Sequence, residues 1–144
     1  YLALKANRGI WSTLSFKPSR PQQELVEQVL NRIRLIERQN DPAGSLSHGQ
    51  KQWLEIGMLL VQDAQLLLVD EPAAGMTDAE TKQTAELLQE ISGTKSVMVV
   101  EHDMEFVKAL DCKVSVLHEG SVLAEGTHSE VQSNATVIEV YLGR

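Results

Sequence analysis

Three features of the sequence predict an α/β fold, with a parallel sheet flanked by helices. Leu66-Leu67-Leu68-Val69 and Val97-Met98-Val99-Val100 are apolar runs without alternation, the pattern of strands covered on both faces. Between them Thr84, Leu87, Leu88 and Ile91 recur at helical spacing, so strand, helix and strand form a βαβ unit whose strands are parallel. Both runs empty directly into polar chemistry, Asp70-Glu71 after the first and Glu101-His102-Asp103 after the second. In an open parallel sheet the carboxyl ends of the strands border the ligand crevice, which places Asp70, Glu71 and His102 along one rim. A strand leaving the core through a charged turn, and a structural histidine, are the plainer readings of the same residues.

Composition sets the outer bounds. The 144 residues, 42% hydrophobic and 23% charged, suit one ordinary globular core. A net charge of -7 argues against a nucleic-acid surface, which needs clustered Lys and Arg. No apolar run approaches the roughly 18 residues that cross a bilayer, and the N-terminus lacks the apolar region of a signal peptide. A cytoplasmic protein without direct membrane insertion is expected. The single cysteine, Cys112, leaves no internal disulfide and no CxxC motif; it is read as a small semi-buried side chain at a strand start. A chain that opens on Tyr1 is read as part of something longer.

In chain order, residues 1–20 read as a linker with weak periodicity and a short helix near Leu2 to Lys5. From Pro21 onward Leu25, Val26, Val29, Leu30, Ile33 and Ile36 fall at helical spacing, predicting an amphipathic helix that ends before Asn40-Asp41-Pro42. Arg32, Arg34 and Arg38 fall on its wet side, an ordinary solvated face. Ser47-His48-Gly49-Gln50 opens the next helix with a capping box, Ser47 to Gln50. Trp53, Leu54, Ile56, Met58, Leu59, Leu60 and Val61 make that helix apolar nearly all round. Gly49 in its first turn costs up to about 1 kcal/mol relative to Ala, and close approach of the backbone to a ligand is one reason for it. A helix N-terminus with a serine hydroxyl is also a ready anion site, although a capped helix with an incidental glycine fits the same residues.

Beyond the first strand, Ala73 to Thr77 is a small-residue loop, with Asp78 as the cap of a helix that Gly93 ends. Met104, Val107 and Leu110 make a short helix. Val114 to Leu117 and Ser121 to Ala124, joined through Glu119-Gly120, make a hairpin. The tail from His128 forms two short helices with Val131, Val137, Ile138, Val140 and Leu142 inward, and His118 and His128 are read as surface residues in polar turns. Three segments result: a linker at 1–20, a helical subdomain with the capped helix at 21–62, and the carboxyl-terminal part of the core at 63–144.

Taken together, these residues resemble the ATP-binding cassette (ABC) ATPases, a branch of the P-loop NTPase fold. Leu46-Ser47-His48-Gly49-Gln50 resembles the family's signature motif, Leu66 to Glu71 its Walker B strand and following glutamate, Ala74-Gly75-Met76-Thr77 its D-loop, and His102 its switch histidine. The wording of Ala74-Gly75-Met76-Thr77, Glu101-His102-Asp103-Met104 and Leu117-His118-Glu119-Gly120 is similar to the branched-chain amino acid and urea importers, urea being preferred. The resemblance implies ATP and Mg²⁺ as cofactors, with Asp70 holding Mg²⁺ through water, Glu71 polarising the attacking water and His102 on the terminal phosphate. It implies that Ser47, His48, Gly49 and Gln50 reach the nucleotide of a second ATPase subunit in a head-to-tail dimer. It also implies transmembrane permease subunits as partners, which hold the protein at the cytoplasmic membrane.

There are departures from the family pattern. His48 replaces a glycine of the usual signature, and Thr77 stands where many members carry an aspartate. No G-x-x-x-x-G-K-[ST] phosphate loop is present: Gly44 to Lys51 has its lysine one place late, and Gly93-Thr94-Lys95-Ser96 lacks the leading glycine. The chain is therefore expected to be the carboxyl-terminal portion of an ATPase subunit and inactive alone. A non-catalytic module that docks on a membrane permease is the alternative.

Overall fold

The structure, a computed structural model, describes residue 3 and residues 17–142. The predicted helix near Leu2 to Lys5 and most of the 1–20 linker lie outside the described residues. Backbone contacts divide the chain into two compact units, Tyr1–Val100 and Glu101–Arg144.

Among the described residues the first element of the first unit is helix α1 (Arg20–Arg32). Ser19 caps it, its amide donating to Gln22 Oε1 at 2.9 Å, and Pro21 sits in the first turn, where no amide hydrogen is missed. The helix stops well short of Asn40. Arg34 turns to a φ of 60°, and Leu35 N reaches back to Leu30 O at 2.8 Å, a Schellman-type closure built on arginine instead of glycine. The guanidiniums on either side of this turn have partners on a later helix. Arg32 donates to Glu90 O at 2.8 Å, and Arg34 donates to Gln83 O at 3.3 Å and to Glu86 Oε2 at 3.1 Å. The face expected to be merely solvated instead ties α1 to a later helix, and Arg38 binds Asp41 locally at 2.9 Å.

Short 3-10 turns at Ile36–Arg38 and Ala43–Ser45 lead to helix α2 (His48–Val61). Its buried residues are Gly49, Trp53, Ile56, Gly57 and Leu60, a single stripe. Met58 is exposed, so the helix is not apolar-faced all round in its packing. Strand β1 (Leu66–Asp70) follows, then helix α3 (Asp78–Ser92) and strand β2 (Ser96–Val100). The two strands are parallel in the register Leu66↔Ser96 to Asp70↔Val100, as the βαβ reading requires. Thr84, Leu87, Leu88 and Ile91 of α3 are all buried.

The strands differ from expectation in one respect. Leu67 and Val69 are buried, but Leu66 and Leu68 are 54% and 65% exposed, and Met98 and Val100 open on the same side. Among the described residues β1 pairs only with β2, and only one face of the pair is covered. The uniform apolar run therefore marks a capacity for two-sided burial that is half used here.

The second unit holds helix α4 (Met104–Leu110), the hairpin β3 (Val114–His118) and β4 (Ser121–Gly126), and helices α5 (His128–Gln132) and α6 (Ala135–Leu142). The hairpin turn at Glu119 and Gly120 has φ of 47° and 78°, the two positive values that a type I′ turn needs. Phe106, not Met104, is the buried anchor of α4, and of the predicted inward tail Val131 and Val137 are buried while Val140 is exposed. Cys112 is exposed. His118 belongs to β3 and meets Tyr141 edge-on at 6.1 Å between ring centroids, so it is a packing residue and not a loop residue. No described helix is long and apolar enough to cross a membrane.

Candidate functional site

The candidate site of the first unit is built from two helix caps. Ser47 caps α2: its hydroxyl accepts from Gln50 N at 3.2 Å, and its amide donates to Gln50 Oε1 at 3.0 Å. The predicted capping box is present, and it fixes the turn Ser47-His48-Gly49-Gln50. Helix α3 is capped by Thr77 and not by Asp78, which is its first helical residue. Thr77 N and Oγ1 both donate to Glu80 Oε2, at 3.1 and 3.0 Å. Glu80 is the residue that sequence reasoning missed. The signal was present, because Thr77-x-x-Glu80 has the capping-box spacing, but Asp78 is also a good cap by type.

The two caps meet at Glu80. Ser47 Oγ donates to Glu80 Oε1 at 2.8 Å, so one carboxylate bridges the turn that opens α2 and the loop that opens α3. Hydrogen bonds from Thr77 N, Ser47 Oγ and Thr77 Oγ1, in that order of weight, hold the Glu80 carboxyl below the ordinary carboxylate range. A Cβ on Gly49 would stand 2.9 Å from Glu80 Oε1. The space left by this glycine is thus used by a carboxylate of the same chain, a reason for Gly49 that the sequence did not reveal. Beside it, a Cβ on Gly75 would lie 3.7 Å from His48 Cδ2, and Gly75 has a φ of 68°. The structure therefore brings together Ser47, His48, Gly49 and Gln50 with Gly75 and Thr77.

Behind these caps the helices are pinned by a buried bond. Trp53 Nε1 donates to Thr84 Oγ1 at 2.8 Å. Thr84 Oγ1 in turn donates to Glu80 O at 2.8 Å.

Asp70 ends β1, and Glu71 leaves it with a φ of 45°, a left-handed conformation that costs a non-glycine residue about 1–2 kcal/mol. Its amide donates to Val100 O at 2.9 Å, and Ala74 N closes a turn on Glu71 O at 3.1 Å. Pro72 is buried and Ala74 is exposed, while Met76 is half-buried, its sulfur 3.2 Å from Thr84 Oγ1. The strand end thus carries two exposed carboxylates on a strained backbone, the kind of feature that clusters at functional sites.

His102 belongs to the second unit. Its side chain is 78% exposed, with Nδ1 3.8 Å from Glu101 Oε2. Its amide donates to the same oxygen at 3.0 Å, and Asp103 caps α4 through Glu105 N and Phe106 N.

No group of three or more His, Cys, Asp and Glu able to hold a metal unaided occurs among the described residues. A single carboxylate such as Asp70 fits the donor set that Mg²⁺ takes beside phosphate, one or two carboxylates with several waters retained. The first turn of α2, whose Gln50 N–H is taken by Ser47 Oγ, leaves the His48 and Gly49 amides outside the cap, and a helix terminus of this kind fits an anion such as a phosphate.

This fold is that of the ATP-binding cassettes. A solved ATP-binding cassette of an ABC transporter in its ADP conformation superposes with a TM-score of 0.78 over 95% of this chain and 57% of that one, at 24% identity. In sequence, the family model described as ABC transporter matches residues 3–74, and that described as branched-chain amino acid ATP-binding cassette transporter matches residues 121–144. The chain belongs to the ABC transporter family. It is 36% identical over 140 residues to the high-affinity branched-chain amino acid transport ATP-binding protein LivG of Escherichia coli, covering 94% of this chain and 54% of that protein. To the corresponding protein BraF of Pseudomonas aeruginosa it is 34% identical over 138 residues, with the same coverage. The chain spans about half the length of the curated relatives it matches.

Proposed function

We propose that this chain is part of the ATP-hydrolysing subunit of an ABC importer of the branched-chain amino acid type. The observation that carries this reading is the junction of the Ser47 turn with the loop that follows Glu71, both held at one carboxylate. In a subunit that shares its sites head to tail with a copy, these segments serve the same interface. Residues 21–62 would form the helical subdomain that faces the permease subunits, and through them the protein would sit at the cytoplasmic membrane.

At the site, Asp70 would hold Mg²⁺ through water, and Glu71 would orient the attacking water and draw off its proton. His102 would donate to the terminal phosphate. Ser47 and the amide at Gly49, in the turn that Gln50 closes with Ser47, would clamp the phosphate of the nucleotide on the second subunit, assisted by the positive end of α2. Mg²⁺, when bound, neutralises the charge gathered on the phosphates.

The test is Glu71→Gln in the complete subunit. Turnover is expected to fall by at least a hundredfold while ATP binding and ATP-dependent dimerisation persist; retained hydrolysis removes Glu71 from its role. The 144-residue chain alone is expected to show no ATPase activity, because it carries no phosphate loop, and micromolar ATP affinity by calorimetry would contradict this. For the solute, urea is a second reading, supported by the wording around Gly75, His102 and His118. Uptake of labelled leucine against labelled urea, in cells with and without the subunit, decides between them.

A further inference from the structure

A hydroxyl has one proton to give, and that of Ser47 is already given. Ser47 Oγ donates to Glu80 Oε1 at 2.8 Å while its lone pair accepts from Gln50 N at 3.2 Å. The same hydroxyl cannot donate to a phosphate oxygen until the bond to Glu80 breaks. Glu80 Oε2 is meanwhile bound to Thr77 N and Oγ1, at 3.1 and 3.0 Å. The carboxylate also sits beside the first turn of α2, its Oε1 2.9 Å from where a Cβ of residue 49 would stand, so an anion at that helix terminus has a negative charge for a neighbour.

We propose that Glu80 is a positioning residue that competes with the terminal phosphate of the second subunit's nucleotide for the Ser47 hydroxyl, so that capture of that phosphate is felt at the Thr77 loop of the same subunit. The inference rests on the reading of Ser47 as a nucleotide contact and extends it to a residue outside the motifs. Glu80 acts through Ser47 and touches no reacting atom. When the Ser47 proton turns to phosphate, Glu80 loses one of its three donors, and the cap of α3 is redistributed onto Thr77. The D-loop thereby senses occupancy of the signature turn through one side chain and without movement of α2.

Glu80→Gln separates charge from shape. The amide oxygen satisfies Thr77 N, as glutamine does in a capping box, and the amide nitrogen then faces Ser47 Oγ as a donor, which releases the serine proton. The experiment uses the complete subunit in a Glu71→Gln background, with ATP and Mg²⁺, and reads dimerisation by analytical ultracentrifugation. Charged acceptors hold a hydroxyl roughly twice as strongly as neutral ones, and the site is open to water, so the ATP midpoint is expected to fall about fivefold in Glu80→Gln. Repeated on a Ser47→Ala background, Glu80→Gln is expected to leave the midpoint unchanged within twofold. An unchanged or raised midpoint in Glu80→Gln overturns the proposal, as does an equal shift in both backgrounds, which marks Glu80 as a cap and nothing more. A parent Glu71→Gln subunit that forms no ATP-dependent dimer overturns the functional reading itself, a result distinct from either of these.

Discussion

The bond that pins α2 to α3 gives a prediction whose size follows from the structure. Thr84 is 0% and Trp53 5% exposed, and the indole N–H reaches Thr84 Oγ1 at 2.8 Å. Thr84→Val keeps the shape of the side chain but removes the acceptor, leaving a buried N–H without a partner. That omission costs about 1–3 kcal/mol. The carbonyl of Glu80 loses its hydroxyl partner but keeps its helical amide, so it adds little. At 144 residues, and with a melting temperature that moves roughly 4 °C per kcal/mol, the midpoint should fall by about 8 °C. In a Trp53→Phe background no N–H remains to be orphaned, and Thr84→Val should then cost less than about 0.5 kcal/mol. Urea titration followed by circular dichroism measures all four corners of this cycle. Equal losses in both backgrounds would show that Thr84 stabilises by packing, and the reasoning from an orphaned donor would be refuted.

Other perturbations follow from the same structure. Ile91, at 0% exposure, should cost about 2–5 kcal/mol when cut to Ala, read as a drop in the urea midpoint. Gly57→Ala would place a Cβ 2.5 Å from Ile33 Cδ1; overpacking of about 1–3 kcal/mol outweighs the helix gain of about 1 kcal/mol, so a net loss is expected where an exposed helix would gain. Glu130 accepts from Thr127 N at 2.7 Å and from Thr127 Oγ1 at 2.8 Å, which hold its carboxyl below the ordinary range. A depressed folded value means stability that is present above the unfolded value and lost as pH falls through the folded one. Glu130→Gln should therefore flatten the acid limb of melting temperature against pH, and an unchanged limb would contradict the assignment.

The fold was legible where one signal dominated. Leu87, Leu88 and Ile91 have a period that only a helix satisfies, and the parallel pairing of Leu66–Asp70 with Ser96–Val100 follows from chirality and crossover length. The extent of α1 was not legible. Ile33 and Ile36 continue the helical period, but the chain turns at Arg34, whose guanidinium meets Gln83 and Glu86, and those partners lie some fifty positions away in sequence. Burial of the strands was misread for a related reason. Leu66 and Leu68 advertise two covered faces, and composition cannot say which elements do the covering.

The site was legible as words but not as a circuit. Ser47 and Gln50 are three residues apart, so their mutual cap could be read directly, and the family resemblance supplied roles for Asp70, Glu71 and His102. Glu80 carries no such word. Its first duty, capping Thr77, is local and could have been inferred. Its second, holding Ser47 from 33 positions away, depends on α2 and α3 lying side by side, which the Trp53 to Thr84 bond and the Gly49 contact enforce. The glycine shows how the two levels differ: its identity suggested a ligand close to the backbone, and the structure sets a carboxylate of the same chain beside it, Glu80 Oε1 lying 2.9 Å from where a Cβ would stand. A residue such as Glu80 is invisible to motif reading, because its second contact has meaning only at the distance at which the fold sets it.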